Sequence, residues 1–375
     1  MKKVIYLYEM SGAAGFYEYT KDLAEALSKN EDYLIYFHTP NKNYKNNLEN
    51  FIIINDFKKI KRYKNKLYSI IRNILVALFN VRIRNKYVKK IKPDIINANQ
   101  LYPIFDQFYI AKLKESSRLV ITMHDVVPPR KSRLWNLKNL KSTYEQADYL
   151  ILHSKENMQL ANHRFRISQD KMKKIHHGVK PIHDNISRES ARKSLKITED
   201  EFVILFFGVI RESKGLHLLI EAIINIKVKL VIAGKAIDQE YVNKCVDILS
   251  SSDINYDKHI RFIEDDEKPY FFKSADILCL PYTEFSSQSG VLMQSISYSL
   301  PVITSNVSSF ETFLSEYNIG ITFKNGDVDD LVGKIRYLMD NPDTLRTFTL
   351  NCNMAKQNLC WENVAKEHVM FYDSL

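Results

Sequence analysis

Short runs rich in β-branched and aromatic residues recur along this chain, most of them followed by ten or more residues with helical patterning. They are "KVIYLYE", "PDIINAN", "RLVITMHD", "ADYLILHS", "EFVILFFG", "VKLVIAGK", "HIRFIED", "DILCLPY" and "PVITS". Strands alternating with helices predict parallel sheets covered by helices, an α/β fold. At 375 residues the chain exceeds the size at which one core stops growing, so two domains are expected. The alternation breaks at "KMKKIHHGVKPIHDNIS", where Gly178 and Pro181 fall close together before a new helix and strand begin. The junction is placed there, giving Rossmann-like, doubly wound domains over 1–180 and 181–359. Domains of this kind facing each other would line a central cleft with their strand carboxyl ends, where ligands bind in such sheets.

Several classes are excluded by what the chain carries. The start, "MKKVIYLYEMSGAAG", has an apolar run too short for a signal peptide, and no uncharged run approaches the roughly 20 residues that span a bilayer. A cytoplasmic protein is the expectation. Cys245, Cys279, Cys352 and Cys360 sit at no metal-like spacing and read as reduced packing residues. The net charge of +10 is local: residues 58–92 hold thirteen Lys or Arg and no acid, so the remainder sums to −3. This stretch interleaves its cations with Tyr68, Ile70, Ile71, Ile74, Leu75, Leu78 and Phe79 at roughly helical spacing, predicting a helix or helix pair with one apolar and one basic face. Such a surface either packs as a solvated helix or docks on anionic lipid. Nothing else in the chain resembles a nucleic-acid module, and no nucleic-acid partner is expected.

Two strand-to-helix turns offer ligand chemistry. After the first strand, Gly12 and Gly15 precede a helix with Tyr19, Leu23 and Leu27 on one face. Glycines there permit close approach of backbone to an anion, although a tight turn without a ligand fits equally. The spacing is not G-x-G-x-x-G, which disfavours a nicotinamide cofactor. In the second half, "EFVILFFG" runs into "VIRESKGLHLLIEAI", placing Arg211, Lys214 and Gly215 at the start of a helix with Leu216, Leu219 and Ile220 inward. Two cations at a helix N-terminus suit a diphosphate clamp, the alternative being that both are surface charges.

"FFGVIRESKGLHLLIEAI", "LVIAGKA", "FFKSADILCLPYTEFSSQSGVLMQSISYSLPVITS" and "NGDVDDLVGKIRYLMDNP" together resemble the C-terminal domain of retaining glycosyltransferases of the GT-B fold, family four. "ITMHDVVP", "ADYLILHS" and "KIHHGV" are similar to that family's N-terminal domain and hinge, so the resemblance covers nearly the whole chain in order. It implies a nucleotide-diphosphate sugar held chiefly by the second domain, an acceptor held by the first, and transfer with retention without cofactor or metal. Arg211 and Lys214 would then neutralise the leaving diphosphate, as positioned cations must where no divalent ion does. Many members place the arginine directly after the glycine that here is Gly208, where this chain has Val209. The resemblance also assigns His124 to the transferred sugar, with Asp125 orienting the loop or meeting the acceptor beside Gly12 and Gly15. Gly208, Lys235, Phe262 and Ile263 fall to the donor side. A last helix, about 360–375 with Trp361, Val364 and Val369 on its apolar face, would cross back to the first domain.

In the segment "SSQSGVLMQSISYSLPVI" many members carry two glutamates separated by seven residues. Counted back from Pro301, those positions hold Gln294 and Ser286, while a register anchored on Gly290 moves the first to Ser287. Both carboxylates are absent, and Glu284 is the nearest survivor. Ser289, Gly290 and Val291 are expected to cradle phosphates at the helix N-terminus, with Gln288 and Gln294 hydrogen-bonding hydroxyls. A neutral amide accepts from a ribose hydroxyl without charge assistance, a contact weaker by about 1 kcal/mol. The expected function is sugar transfer to a saccharide or lipid-linked acceptor in bacterial surface polysaccharide synthesis, by a protein peripheral to the inner face of the membrane. The alternatives are a nucleotide-sugar-binding subunit that has lost catalysis and another enzyme of this architecture, such as a sugar-nucleotide epimerase.

Overall fold

The computed structural model describes residues 2–12, 14–61, 63–115, 117–126, 137–182, 184–284, 289–307 and 309–375. The chain divides into two compact units, residues 1–178 with 361–375, and residues 179–360.

In the first unit the order is β1 (Lys3–Tyr8), α1 (Ala14–Leu27), β2 (Tyr33–His38), β3 (Phe51–Ile54), α2 (Lys66–Ile91), β4 (Ile95–Ala98), α3 (Pro103–Tyr109), β5 (Arg118–Thr122), α4 (Leu137–Glu145), β6 (Tyr149–Leu152), α5 (Lys155–Phe165) and β7 (Met172–Lys174), closed by α14 (Trp361–Asp373). All its strand pairings are parallel, in the order β3-β2-β1-β4-β5-β6-β7. The sheet is sandwiched: α1 and α14 cover one face with Tyr19, Leu23, Leu27, Trp361 and Val364, and α2 covers part of the other with Ala77, Val81 and Val88. Both faces being covered explains why its central strands read as unbroken apolar runs rather than as alternation. Trp361 lies so close over Gly178 that a Cβ there would sit 2.3 Å from the indole, so only glycine fits.

The basic stretch forms one helix, α2, with Asn65 capping its first turn by accepting from the Tyr68 amide at 3.0 Å. Its C-terminal half packs through Val76, Ala77, Asn80, Val81, Arg84 and Val88. Arg84, counted among the basic residues, is fully buried and bonded to Asp106 at 2.6 Å and to the Tyr8 hydroxyl at 3.0 Å. The N-terminal half touches the preceding segment, Asn73 donating to the Lys61 carbonyl at 2.9 Å and Tyr68 meeting the Tyr63 ring at 5.2 Å. Its apolar side chains stay out: Leu67 is 66% and Leu75 60% exposed, and Tyr68, Ile70 and Ile71 are exposed with them.

The second unit runs α6 (Arg188–Ser194), β8 (Val203–Phe207), α7 (Leu216–Ile223), β9 (Lys229–Ala233), α8 (Gln239–Ser250), β10 (Asn255–His259), α9 (Lys268–Ser274), β11 (Ile277–Leu280), α10 (Gly290–Ser297), β12 (Val302–Ser305), α11 (Phe310–Tyr317), β13 (Gly320–Phe323), α12 (Val328–Asp340) and α13 (Pro342–Asn358). Its sheet is parallel with the order β10-β9-β8-β11-β12-β13. The order reverses between β8 and β11, the switch point outside whose strand carboxyl ends ligands bind in doubly wound sheets generally. The strand expected at "HIRFIED" is displaced. β10 is the more polar "NYDKH" at the sheet edge, and Ile263 reaches the core from a loop while Phe262 is 61% exposed.

Candidate active site

In the second unit the switch point gathers the residues that the sequence marks. Past β8 the chain turns at Gly208, whose φ of 109° favours glycine, and a Cβ built there would lie 3.1 Å from Val291 Cγ2 on α10. Gly234, past β9, has φ of 150°, and its Cβ would fall 1.7 Å from the Gly208 carbonyl oxygen. Neighbouring strand ends thus touch backbone to backbone. Lys235 follows on the surface, its carbonyl accepting from the Ile210 amide at 3.0 Å.

Residues 212–214 form a single 3-10 turn beginning at Arg211. The Thr283 amide donates to the Ser213 carbonyl at 3.2 Å, and Gly215 passes so near Pro281 that a Cβ would meet its carbonyl oxygen at 1.8 Å. This clamps the loop after β8 onto the loop after β11. The Lys214 ammonium consequently sits 3.4 Å from the centroid of the Tyr282 ring, a close cation–π contact. Arg211 is half-buried, and its Nε is enclosed with no hydrogen-bond partner among the described residues. Tyr282 is buried, and burial pushes its phenol up to about 12 against the opposing pull of its hydrogen bond with Ser289 and of the Arg211 charge. It therefore stays neutral and links Lys214 to the first residue of the next element.

That residue, Ser289, caps α10: its hydroxyl accepts from the Leu292 amide at 3.3 Å. Gly290 is exposed with open space around its Cβ position, and the amides of Gly290 and Val291 belong to the first turn, whose N–H groups have no partner within a helix. Gln294, one turn on, is half-buried with its Oε1 enclosed and unpartnered among the described residues. Glu284 is exposed. Gln288, with Ser286 and Ser287, lies outside the described residues. Arg211, Lys214, Gly208, Ser289 and Val291 are thus brought together; Ile263, past β10, is buried in the core cluster that also holds Phe207, Tyr282 and Leu292, and Phe262 beside it is exposed. Tyr282, which organises the group, is a residue that sequence reasoning passes over; its signal is an aromatic two residues beyond a central strand.

In the first unit Gly12 has φ of 66°, and a Cβ there would lie 2.8 Å from both Lys59 Cε and Pro40 Cγ. Its amide is occupied. The fully buried Glu9 carboxylate accepts from the Ser11 amide at 2.8 Å, the Gly12 amide at 2.9 Å and the Thr39 hydroxyl. Of the readings of this turn, the Glu9 carboxylate on the Ser11 and Gly12 amides fits the tight turn, braced from within. Gly15 lies inside α1, with open space at its Cβ position, rather than before the helix.

His124 sits two residues past β5, partly buried between the rings of Phe16 and Tyr19, whose centroids are 5.2 and 4.5 Å from its own. Burial, then the nearby His153 and His177, hold its imidazole well below the usual histidine range, so it is neutral. Asp125 is also partly buried, and with burial it raises the Tyr144 phenol. His153 and His177, unassigned from sequence, are likewise held down by burial, to about 3 and about 4.

Two parallel, doubly wound units of this kind are the GT-B fold, and solved structures agree. Sucrose-phosphate synthase from Thermosynechococcus elongatus superimposes with a TM-score of 0.78 at 18% identity, over 100% of this chain and 99% of that one. Anabaena HepE in complex with UDP-glucose does so with a TM-score of 0.72 at 15% identity, over 99% and 100%. By sequence, residues 187–352 match glycosyl transferases group 1 and residues 15–182 match glycosyltransferase family 4. Residues 15–182 and 187–352 together make up most of the chain, and each matches a glycosyltransferase family. Among curated relatives, an uncharacterised glycosyltransferase of Methanocaldococcus jannaschii is 28% identical over 62% of this chain and 61% of its own length. O-antigen chain mannosyltransferase C of Escherichia coli is 23% identical over 71% of each. The chain thus spans less than two thirds of the archaeal relative.

Proposed function

We propose that the protein transfers a sugar from a nucleoside-diphosphate sugar to a saccharide acceptor, with retention of anomeric configuration and without a divalent metal. The observation that carries this is the clamped placement of Arg211 and Lys214 at the switch point, next to the capped N-terminus of α10. Leaving-group departure creates negative charge on the diphosphate, and preorganised cations with helix-end amides stabilise that charge without reorganising. Ser289, Gly290 and Val291 bind the phosphates. Gln294 offers its unpartnered Oε1 to a ribose hydroxyl, and His124 in the first unit meets a hydroxyl of the transferred sugar. Front-face retaining transfer needs no protein carboxylate as nucleophile, so the absent glutamates leave the reaction intact. The acceptor is lipid-linked and belongs to bacterial surface polysaccharide, a reading supported by the O-antigen relative. No helix among the described residues is long and apolar enough to cross a membrane. An acceptor at the bilayer is reached from the cytoplasmic face through residues 58–92, whose exposed apolar and basic side chains suit an anionic lipid surface.

The test incubates the protein with a panel of nucleotide sugars and polyprenyl-linked saccharides in chelator, measuring released nucleoside diphosphate and the anomeric configuration of the product. Release only on addition of metal, or an inverted product, overturns the mechanism. The missing glutamates favour one second reading, a donor-binding subunit without turnover, and binding without any release establishes it instead. An isomerised donor recovered from the mixture would mark an epimerase.

A further inference from the structure

The registers of the first sheet bring three strand ends side by side. β5 pairs with β6 through Thr122 and Ile151, and β6 pairs with β7 through Leu152 and Lys174. Continuing those registers sets His124 opposite His153, and His153 opposite Ile175. Hydrogen bonds cross both gaps: His153 Nδ1 lies 2.9 Å from the Ile175 carbonyl oxygen, and His153 Nε2 lies 3.4 Å from His124 Nδ1. His124 Nε2 is enclosed and has no hydrogen-bond partner among the described residues.

The carbonyl fixes every proton in this row. A carbonyl oxygen only accepts, so His153 carries its proton on Nδ1 and, being neutral, leaves Nε2 as a lone pair. That lone pair accepts from His124 Nδ1, which therefore holds the proton of the second ring. His124 Nε2 is then a bare acceptor. We propose that His153 is a positioning residue that locks His124 in the Nδ1–H tautomer, so that its Nε2 accepts a hydrogen bond from a substrate hydroxyl. This rests on the reading of His124 as a sugar contact. Tyr19 holds the pair from the α1 side, its ring 4.5 Å from His124 and 5.3 Å from His153, so His124 has little freedom to turn its ring and exchange the two nitrogens. An enzyme built this way selects donors with a hydroxyl proton to offer at that position and discriminates against the deoxy or O-methyl analogue.

Long-range nitrogen–proton NMR of the histidine rings reads the tautomer directly, in the full chain. Wild type and His153→Gln, whose amide oxygen replaces the accepting lone pair, are expected to show His124 protonated on Nδ1. His153→Leu is expected to shift it toward Nε2–H and to lower kcat/KM about tenfold, the scale of one lost neutral hydrogen bond, while His153→Gln stays within about threefold. An Nε2–H tautomer in wild type overturns the proposal whether or not the leucine variant folds. So does a leucine variant with wild-type tautomer and kinetics. Full activity in His124→Ala with the Nδ1–H tautomer present in wild type would instead remove the sugar contact and leave the tautomer lock standing.

Discussion

The Lys214 ammonium sits 3.4 Å from the centroid of the Tyr282 ring, and this cation–π contact orients the charge that the leaving group needs without cancelling it. Lys214→Ala is accordingly expected to lower kcat about 100-fold or more, because the diphosphate charge it meets is larger in the transition state; steady-state kinetics with unchanged turnover would remove it from the reaction. Gln294 makes the opposite prediction. A ribose contact is similar in ground and transition states, so Gln294→Ala should raise the donor KM several-fold with little change in kcat, and an unaltered donor KM would place the ribose elsewhere. At this scale the position of Arg211 and Lys214 past a strand end was legible, because an apolar run ending in glycine and followed by helical patterning marks where the turn falls. The sequence did not carry Glu9, His153 or Tyr282. Their roles come from what lies across the sheet or the next loop, and sequence spacing does not encode those neighbours.

Most strands that lead directly into a helix were legible, but β3 and β13, four residues each, were passed over although helices follow them. β2, "YLIYFH", is as apolar as its neighbours, but it leads through a loop to β3 rather than into a helix, so the alternating pattern passes over it. β7 is three residues, "MKK", with no periodicity to read, and β10 is an edge strand whose burial does not demand apolar side chains. Helix α2 shows the limit from the other side: its composition announces an amphipathic helix, but only the structure divides it into a packed half and an exposed one. In the exposed half Leu67, Ile70, Ile71 and Leu75 lie near the exposed Lys64 and Lys66, while Lys58, Lys59 and Arg72 are engaged internally, over Phe79, at the Gly12 carbonyl and over Tyr63. The variant to test is therefore Lys64→Gln with Lys66→Gln, set beside Leu67→Ser with Ile71→Ser. In sedimentation with anionic vesicles the charge variant is expected to lose the salt-sensitive part of binding, at about 1 kcal/mol per cation, and the serine variant the salt-resistant part. Equal partitioning of wild type and both variants would make this half an ordinary solvated helix.

At the scale of the molecule the buried histidines are unevenly shared. His38, His153 and His368 are fully enclosed in the first unit and burial lowers them to about 4, 3 and 4, whereas in the second unit only the half-buried His259 is lowered among the described residues. A histidine held neutral in the folded state adds stability that is complete above its unfolded value near 6.5 and is lost as pH falls toward its folded value. Each of the three enclosed rings contributes on the order of a few kcal/mol over that window. Hydrogen exchange followed by mass spectrometry is expected to show residues 1–178 losing protection between pH 6.5 and 4 ahead of residues 179–360, and simultaneous loss in both units would dismiss the histidine account. The return of α14 to the first unit acts on a different timescale. Residues 361–373 leave the ribosome only after the 182 residues of the second unit have been made, a delay of roughly 10–40 s at ordinary elongation rates. Throughout it the nascent first unit presents the side of Tyr19 and Gly178 that Trp361 will cover, so the unit begun first is the one finished last, and it is there that a newborn chain would meet a chaperone.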